Sequence, residues 1–183
     1  IDLEAALETK LFLSQPVVSL GDDPDRTGKL TFSYEVNNLA DSAQTCALDA
    51  TLLTSLVEDG YDLMCSDDLE GLFTVSAALN GKAVSASDLT LPKGTSTLSV
   101  TLQLNQQGLA QMASSFPNGG FLEGFVCLTP RPGPMVHGTF LSFWGDWTQA
   151  GLLSPYDFTD VIDSTWLLEN TYYASDDYDP FLF

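Results

Sequence analysis

Thr97-Leu98-Ser99-Val100-Thr101-Leu102-Gln103-Leu104 decides the fold class. Leu98, Val100, Leu102 and Leu104 alternate strictly with Thr, Ser and Gln, the period-2 pattern of a strand with one buried and one wet face. The same alternation occurs upstream, at Leu30-Thr31-Phe32-Ser33-Tyr34-Glu35-Val36 and at Cys46-Ala47-Leu48-Asp49-Ala50-Thr51-Leu52. Phe73 to Leu79 runs into Asn80-Gly81 and then Lys82-Ala83-Val84. Asn-Gly between apolar runs predicts a two-residue hairpin, because a type I′ turn needs positive φ at both central residues.

Downstream, one helix interrupts the strands. Asn105 is a fitting N-cap, Leu109, Met112, Ala113 and Phe116 share a helical face, and Pro117-Asn118-Gly119-Gly120 stops it. Phe121 to Leu128 and Phe140 to Trp144 are apolar on both parities, which predicts central strands covered on both faces. Pro130-Arg131-Pro132-Gly133-Pro134 between them must be loop. Many short strands with one crossover helix predict an all-β chain, an antiparallel β-sandwich of the fibronectin type III or immunoglobulin-like kind.

Composition narrows the function. The chain has 183 residues, 44% apolar and 11% aromatic, enough for one cored domain and a tail. Six Lys and Arg against 25 Asp and Glu give a net charge of −19, which excludes nucleic acid and anionic membrane as main partners. No apolar run reaches the length of a bilayer span, so no membrane insertion is expected. Every basic residue lies at or before Arg131, and the acidic, aromatic stretch that follows is expected to be a separate segment, 154–183, partly helical around Asp160–Asn170.

Catalytic chemistry is hard to assemble. The sole histidine, His137, has no Gly-x-Ser-x-Gly partner and reads as a loop or strand-edge residue. Among so many acids some carboxylate pair will have a glycosidase spacing by chance, so that signal says nothing. Asp22-Asp23-Pro24-Asp25, Asp67-Asp68-Leu69-Glu70 and Asp176-Asp177-Tyr178-Asp179 concentrate the hard oxygens that calcium prefers, without an EF-hand spacing. Hydrated turns are the favoured reading, structural calcium at Asp22, Asp23 and Asp25 the lesser one, and no other cofactor is expected. Cys46, Cys65 and Cys127 read as small buried hydrophobes, with a Cys46–Cys127 bridge left open. Trp144, Trp147 and Trp166 with Tyr172, Tyr173 and Tyr178 could form a sugar-stacking platform, although core and corner packing is favoured for Trp144 and Trp147.

Phe116-Pro117-Asn118-Gly119-Gly120-Phe121-Leu122-Glu123-Gly124-Phe125-Val126, followed by Phe140-Leu141-Ser142-Phe143-Trp144-Gly145-Asp146-Trp147-Thr148, carries a family resemblance. Together these stretches resemble the fibronectin type III-like module that follows the catalytic domain of large cell-envelope subtilisin-like serine proteases, such as the lactic-acid-bacterial cell-envelope proteinases and the streptococcal complement-cleaving peptidases. The motif residues are Glu123, Gly124, Phe125, Phe143, Gly145, Asp146 and Trp147. Thr139, Phe140, Ser142 and Trp144 depart from the family's Pro, Tyr, Gly and Tyr. Leu20-Gly21, Gly28 to Asn38 and Leu91-Pro92-Lys93-Gly94-Thr95 extend the likeness upstream, and Ile1 to Ala6 looks like the last helix of a subtilisin domain.

The resemblance implies a fibronectin type III-like sandwich at 8–153, with 1–7 ending a preceding catalytic domain or linker. It also implies an extracellular, Gram-positive cell-surface setting, the adjacent protease domain of the same polypeptide as partner, and the role of a non-catalytic accessory module that stabilises or positions the protease, with protein substrate as a second partner. It carries no catalytic residue into this chain. Glu123 and Asp146 are expected to be partly buried carboxylates that accept backbone N–H groups and pin a sandwich corner. Gly145 is expected to need a backbone angle or a close approach that a Cβ would block. The alternatives are a carbohydrate-binding or adhesion sandwich and, last, a small acidic hydrolase.

Overall fold

The computed structural model describes residues 7–58 and 61–148. The segment expected at 154–183, with Trp166, the three late tyrosines and the Asp176–Asp179 site, lies outside them, as do Ile1 to Ala6.

Two sheets face each other. The first has the order β1 (Leu11–Leu13), β3 (Lys29–Asn38), β9 (Gly94–Leu104), β6 (Phe73–Leu79) and β7 (Lys82–Val84). The second has β2 (Val17–Asp23), β11 (Val136–Trp144), β10 (Gly120–Pro130), β4 (Gln44–Glu58) and β5 (Tyr61–Asp68), with short β8 (Leu89–Leu91) also paired to β4. The all-β sandwich expected from the sequence, with one short inserted helix, is the observed fold. All pairings are antiparallel except β2 on β11, which is parallel and bulged between Leu141 and Phe143. The first edge of the chain therefore switches sheets after β1, closing both layers at one end.

The alternating residues build the core as their period requires. Leu98, Val100 and Leu102 of β9 meet Leu30, Phe32 and Tyr34 of β3 on one inner face, and Leu52, Leu122, Val126 and Phe140 line the other. Phe32 and Phe140 bring their ring centroids to 4.8 Å across the layers. Tyr34 ties the sheets with a polar bond: its hydroxyl donates to the Thr139 carbonyl at 3.0 Å, and burial pushes its pKa up to about 12. The Asn80-Gly81 hairpin joins β6 to β7 with φ of 49° and 79°, as its sequence demands.

Helix α1 (Gln106–Ser115) carries the chain from the first sheet to the second. Asn105 caps it, its side-chain oxygen accepting from Gly108 N at 2.9 Å. Of the expected face, Met112 and Phe116 are buried and Leu109 packs against the core; Ala113 alone turns to solvent, and Gly108 takes the buried place beside Met112. A Cβ at Gly108 would stand 2.6 Å from the Leu72 carbonyl oxygen, so the helix rests directly on the β5–β6 turn.

One expectation fails in an informative way. β10 and β11 are central strands of their sheet but are not covered on both faces. Along β10 burial alternates, with Leu122, Gly124, Val126 and Leu128 inside and Phe121, Glu123 and Phe125 outside. The reason is the layer count: nothing among the described residues forms a third layer over this sheet, so its apolar odd positions meet water.

Candidate functional site

That open outer face holds the most unusual surface of the described residues. Phe121, Phe143 and Trp147 form a mutual cluster, with centroids 5.4 Å apart for Phe121–Phe143, 4.8 Å for Phe143–Trp147 and 5.5 Å for Phe121–Trp147. Phe143 is 7% exposed beneath the other two, whereas Phe121 and Trp147 are 41% and 42% exposed. Leu141, also half-open, separates two shallow depressions. One of about 230 Å³ is walled by Trp147, Phe143, Asp22 and Ser19, and the other, of about 280 Å³, by Glu123, Thr54 and Ser55. Phe121 borders both. Further along β10, Phe125 packs edge-on to His137, ring centroids 6.2 Å apart.

Trp147 is held from beneath by backbone chemistry. Its amide donates to Asp22 Oδ2 at 2.9 Å, and two residues earlier Gly145 N donates to the Asp23 carbonyl at 3.0 Å. Asp23 fixes the next turn with its side chain: Oδ1 accepts from Thr27 N and Thr27 Oγ1, each at 3.0 Å, and Oδ2 accepts from Gly28 N at 2.7 Å. Arg26, left-handed at φ 53°, reaches the Pro117 carbonyl at 2.8 Å and lays its guanidinium 4.8 Å from the Trp144 ring centroid. Gly145 sits at φ 130°, and a Cβ there would stand 3.1 Å from Gly119 Cα, so both parts of its expected role hold.

The motif residues therefore divide. Phe143, Gly145, Asp146 and Trp147 gather at one corner, together with Asp22 and Asp23. Asp146 is half-buried and accepts from Thr148 N at 2.9 Å and Thr148 Oγ1 at 2.6 Å, a local turn within its own loop. Glu123 overturns its expectation. It is exposed on the outer face and its carboxylate accepts no hydrogen bond from the described residues, because its odd position on β10 points away from the core. The corner pin expected of Glu123 is supplied by Asp23. Gly124 points inward between Leu52 and Phe140, where a Cβ would collide with the Thr51 carbonyl oxygen. Trp144 is core and Trp147 packs at the corner, as favoured, although Trp147 stays half exposed.

The lesser calcium reading meets a specific obstacle. Asp22 Oδ2 and both carboxylate oxygens of Asp23 already accept backbone amides, and Asp25 is exposed. Among the described residues no three His, Cys, Asp or Glu side chains gather as metal ligands would. Cys46 points into the core and Cys127 lies on the outer parity of β10, so the two thiols occupy opposite faces of one sheet and are not bridged. Burial raises both thiol pKa values, with the Asp49 carboxylate adding to the rise at Cys127. His137 is exposed on β11, a strand residue whose ring neighbour is Phe125.

Phe121 and Leu141 belong to the face and were not singled out from the sequence. The signal was present. Glu123 shares its parity with Phe121 and Phe125, and one unpartnered carboxylate on a strand marks the wet side.

No protein-family model and no curated protein matches the sequence. Among solved structures, the chain is similar to PapD-like domain 7 of human CEP192, at 12% identity and a TM-score of 0.41 over 74% of this chain and 84% of that one. It is also similar to the CooA pilin subunit of enterotoxigenic Escherichia coli, at 17% identity and a TM-score of 0.41 over 75% of this chain and 99% of that one. A third likeness is to a family 123 glycoside hydrolase from Clostridium perfringens, at 9% identity and a TM-score of 0.42 over 70% of this chain and 22% of that one.

Proposed function

We propose that this chain is a non-catalytic recognition module of a secreted, cell-surface subtilisin-like serine endopeptidase, helping to position the protease and to engage its protein substrate. The observation that carries the reading is the corner where the two motif stretches meet. Their strands pair from Gly120–Trp144 to Leu128–Val136, and at the Gly120–Trp144 end of that pair Phe121 and Trp147 stand half exposed. A contiguous exposed aromatic patch on an otherwise well-cored domain marks an interaction site. The motif likeness supplies the protease context.

The second reading, a carbohydrate-binding or adhesion sandwich, is favoured by the half-open Trp147 indole, since sugars stack on such rings. Two assays on the whole chain separate the readings. Chromogenic peptides and glycosides should not be turned over, and glycan affinity gels should not retard the protein. Turnover that scales with protein concentration would overturn the module reading. Retardation that disappears in Trp147→Ala would transfer the assignment to carbohydrate.

A further inference from the structure

The geometry points to the occupant of this face: a cationic polypeptide segment that seats an apolar side chain against Phe121, Leu141 and Trp147 and places Lys or Arg beside Glu123 and Asp68. The inference rests on the reading of the chain as a recognition module and names the chemistry of its partner.

Registration across the sheet places the charges. Asp68 of β5 lies opposite Leu53 of β4, Leu53 opposite Glu123 of β10, Glu123 opposite Leu141 of β11, and Leu141 opposite Ser19 of β2. Residues directly opposite in a ladder project to the same side. One row across the outer face therefore reads acid, apolar, acid, apolar, polar, with Glu123 and Asp68 about 10 Å apart at two strand spacings. Lower on the same face Asp49 faces Cys127, which in turn faces His137.

No Lys or Arg answers these acids. Lys29 and Lys82 lie on the first sheet, and Lys10, Arg26, Lys93 and Arg131 lie in turns and loops. Among the described residues the one ion pair, Lys93 with Asp41 at 3.0 Å, is remote from this face. An apolar face edged by unpaired carboxylates complements a cation that is attached to something apolar. The net charge of −19 would draw such a partner in over long range.

The ring geometry disfavours a sugar. Trp147 meets Phe143 at 89° and Phe121 at 48°, which makes a notch and not a flat bench. The row beside it offers carboxylate acceptors and no amide donors, which suits ammonium and guanidinium groups.

The test is a titration of the full chain with three synthetic peptides that share one apolar core and carry Lys, Gln or Glu at the same flanking positions. Calorimetry in low salt should show the Lys peptide binding at least about tenfold more tightly than the Gln peptide, with the Glu peptide silent. The preference should shrink severalfold in about 0.3 M salt. Glu123→Lys, at an exposed site, should abolish the preference while leaving the thermal melt unchanged, and Glu35→Lys on the first sheet should leave the preference intact. Trp147→Ala should weaken the Lys and Gln peptides alike. Equal affinity for Lys and Gln peptides would overturn the inference. So would binding only of neutral oligosaccharides, or self-association of the chain that leaves no peptide binding. Absence of peptide binding without any turnover sinks this occupant alone, whereas turnover sinks the module reading beneath it.

Discussion

Among the glycines of the described residues, Gly124→Ala should be the most damaging replacement. Gly124 lies mid-strand in β10, flanked by β4 and β11, and its inward direction is filled by the Thr51 carbonyl. A side-chain tip could rotate away, but this neighbour is backbone within the ladder. Admitting a Cβ requires β4 and β10 to separate locally, on top of the overpacking of Phe140. A loss of about 3 kcal/mol or more is expected, seen as a fall of about 10 °C in Tm for a domain of this size. Glu123→Ala, one residue earlier and on the opposite face, is the internal control and should change stability by less than about 0.5 kcal/mol. If the two variants exchange places in a thermal melt, β10 is threaded with the other parity.

The second large effect is expected at Asp23. Its carboxylate accepts three hydrogen bonds from the Thr27–Gly28 turn, and its backbone carbonyl receives Gly145 N. Asp23→Ala orphans Gly28 N, at a buried glycine with φ 64° whose space is closed by Leu104 and Leu109. A cost of about 2–3 kcal/mol follows from leaving such donors unpaired. Asp23→Asn should cost less, because one oxygen still accepts while the amide group opposes the remaining donor. Urea denaturation of the three proteins should rank them parent, Asp23→Asn, Asp23→Ala. Equal midpoints for Asp23→Ala and the parent would remove the corner pin from the account.

Much of the fold was legible in the sequence because its strongest signals are local. Strict alternation at Leu98–Leu104 and Leu30–Val36 follows from period 2, the Asn80-Gly81 hairpin from positive φ, and the Asn105 cap from an unsatisfied amide. Each needs only neighbours in the chain. What escaped depends on layers. Phe121 and Phe125 read as buried because apolar residues on both parities usually mean cover on both faces, and only the sheet order reveals that no described residue lies over them. Glu123 was expected to be a buried acceptor because it is a motif residue, whereas its parity on β10 turns it outward. From sequence, Asp22 and Asp23 read as a hydrated turn, with calcium ligation the lesser reading. Their role, anchoring amides of a loop more than a hundred residues away and of the next turn, depends on the parallel pairing of β2 with β11, which no local pattern announces.

The function proposed for this sandwich makes it the recognition module of a protease domain in the same polypeptide. The most direct measurement is the coding sequence read upstream of Ile1. The account predicts a subtilisin-like catalytic domain whose Gly-Thr-Ser-Met-Ala-like turn carries the nucleophilic serine shortly before this chain starts. An unrelated domain in that place would contradict it.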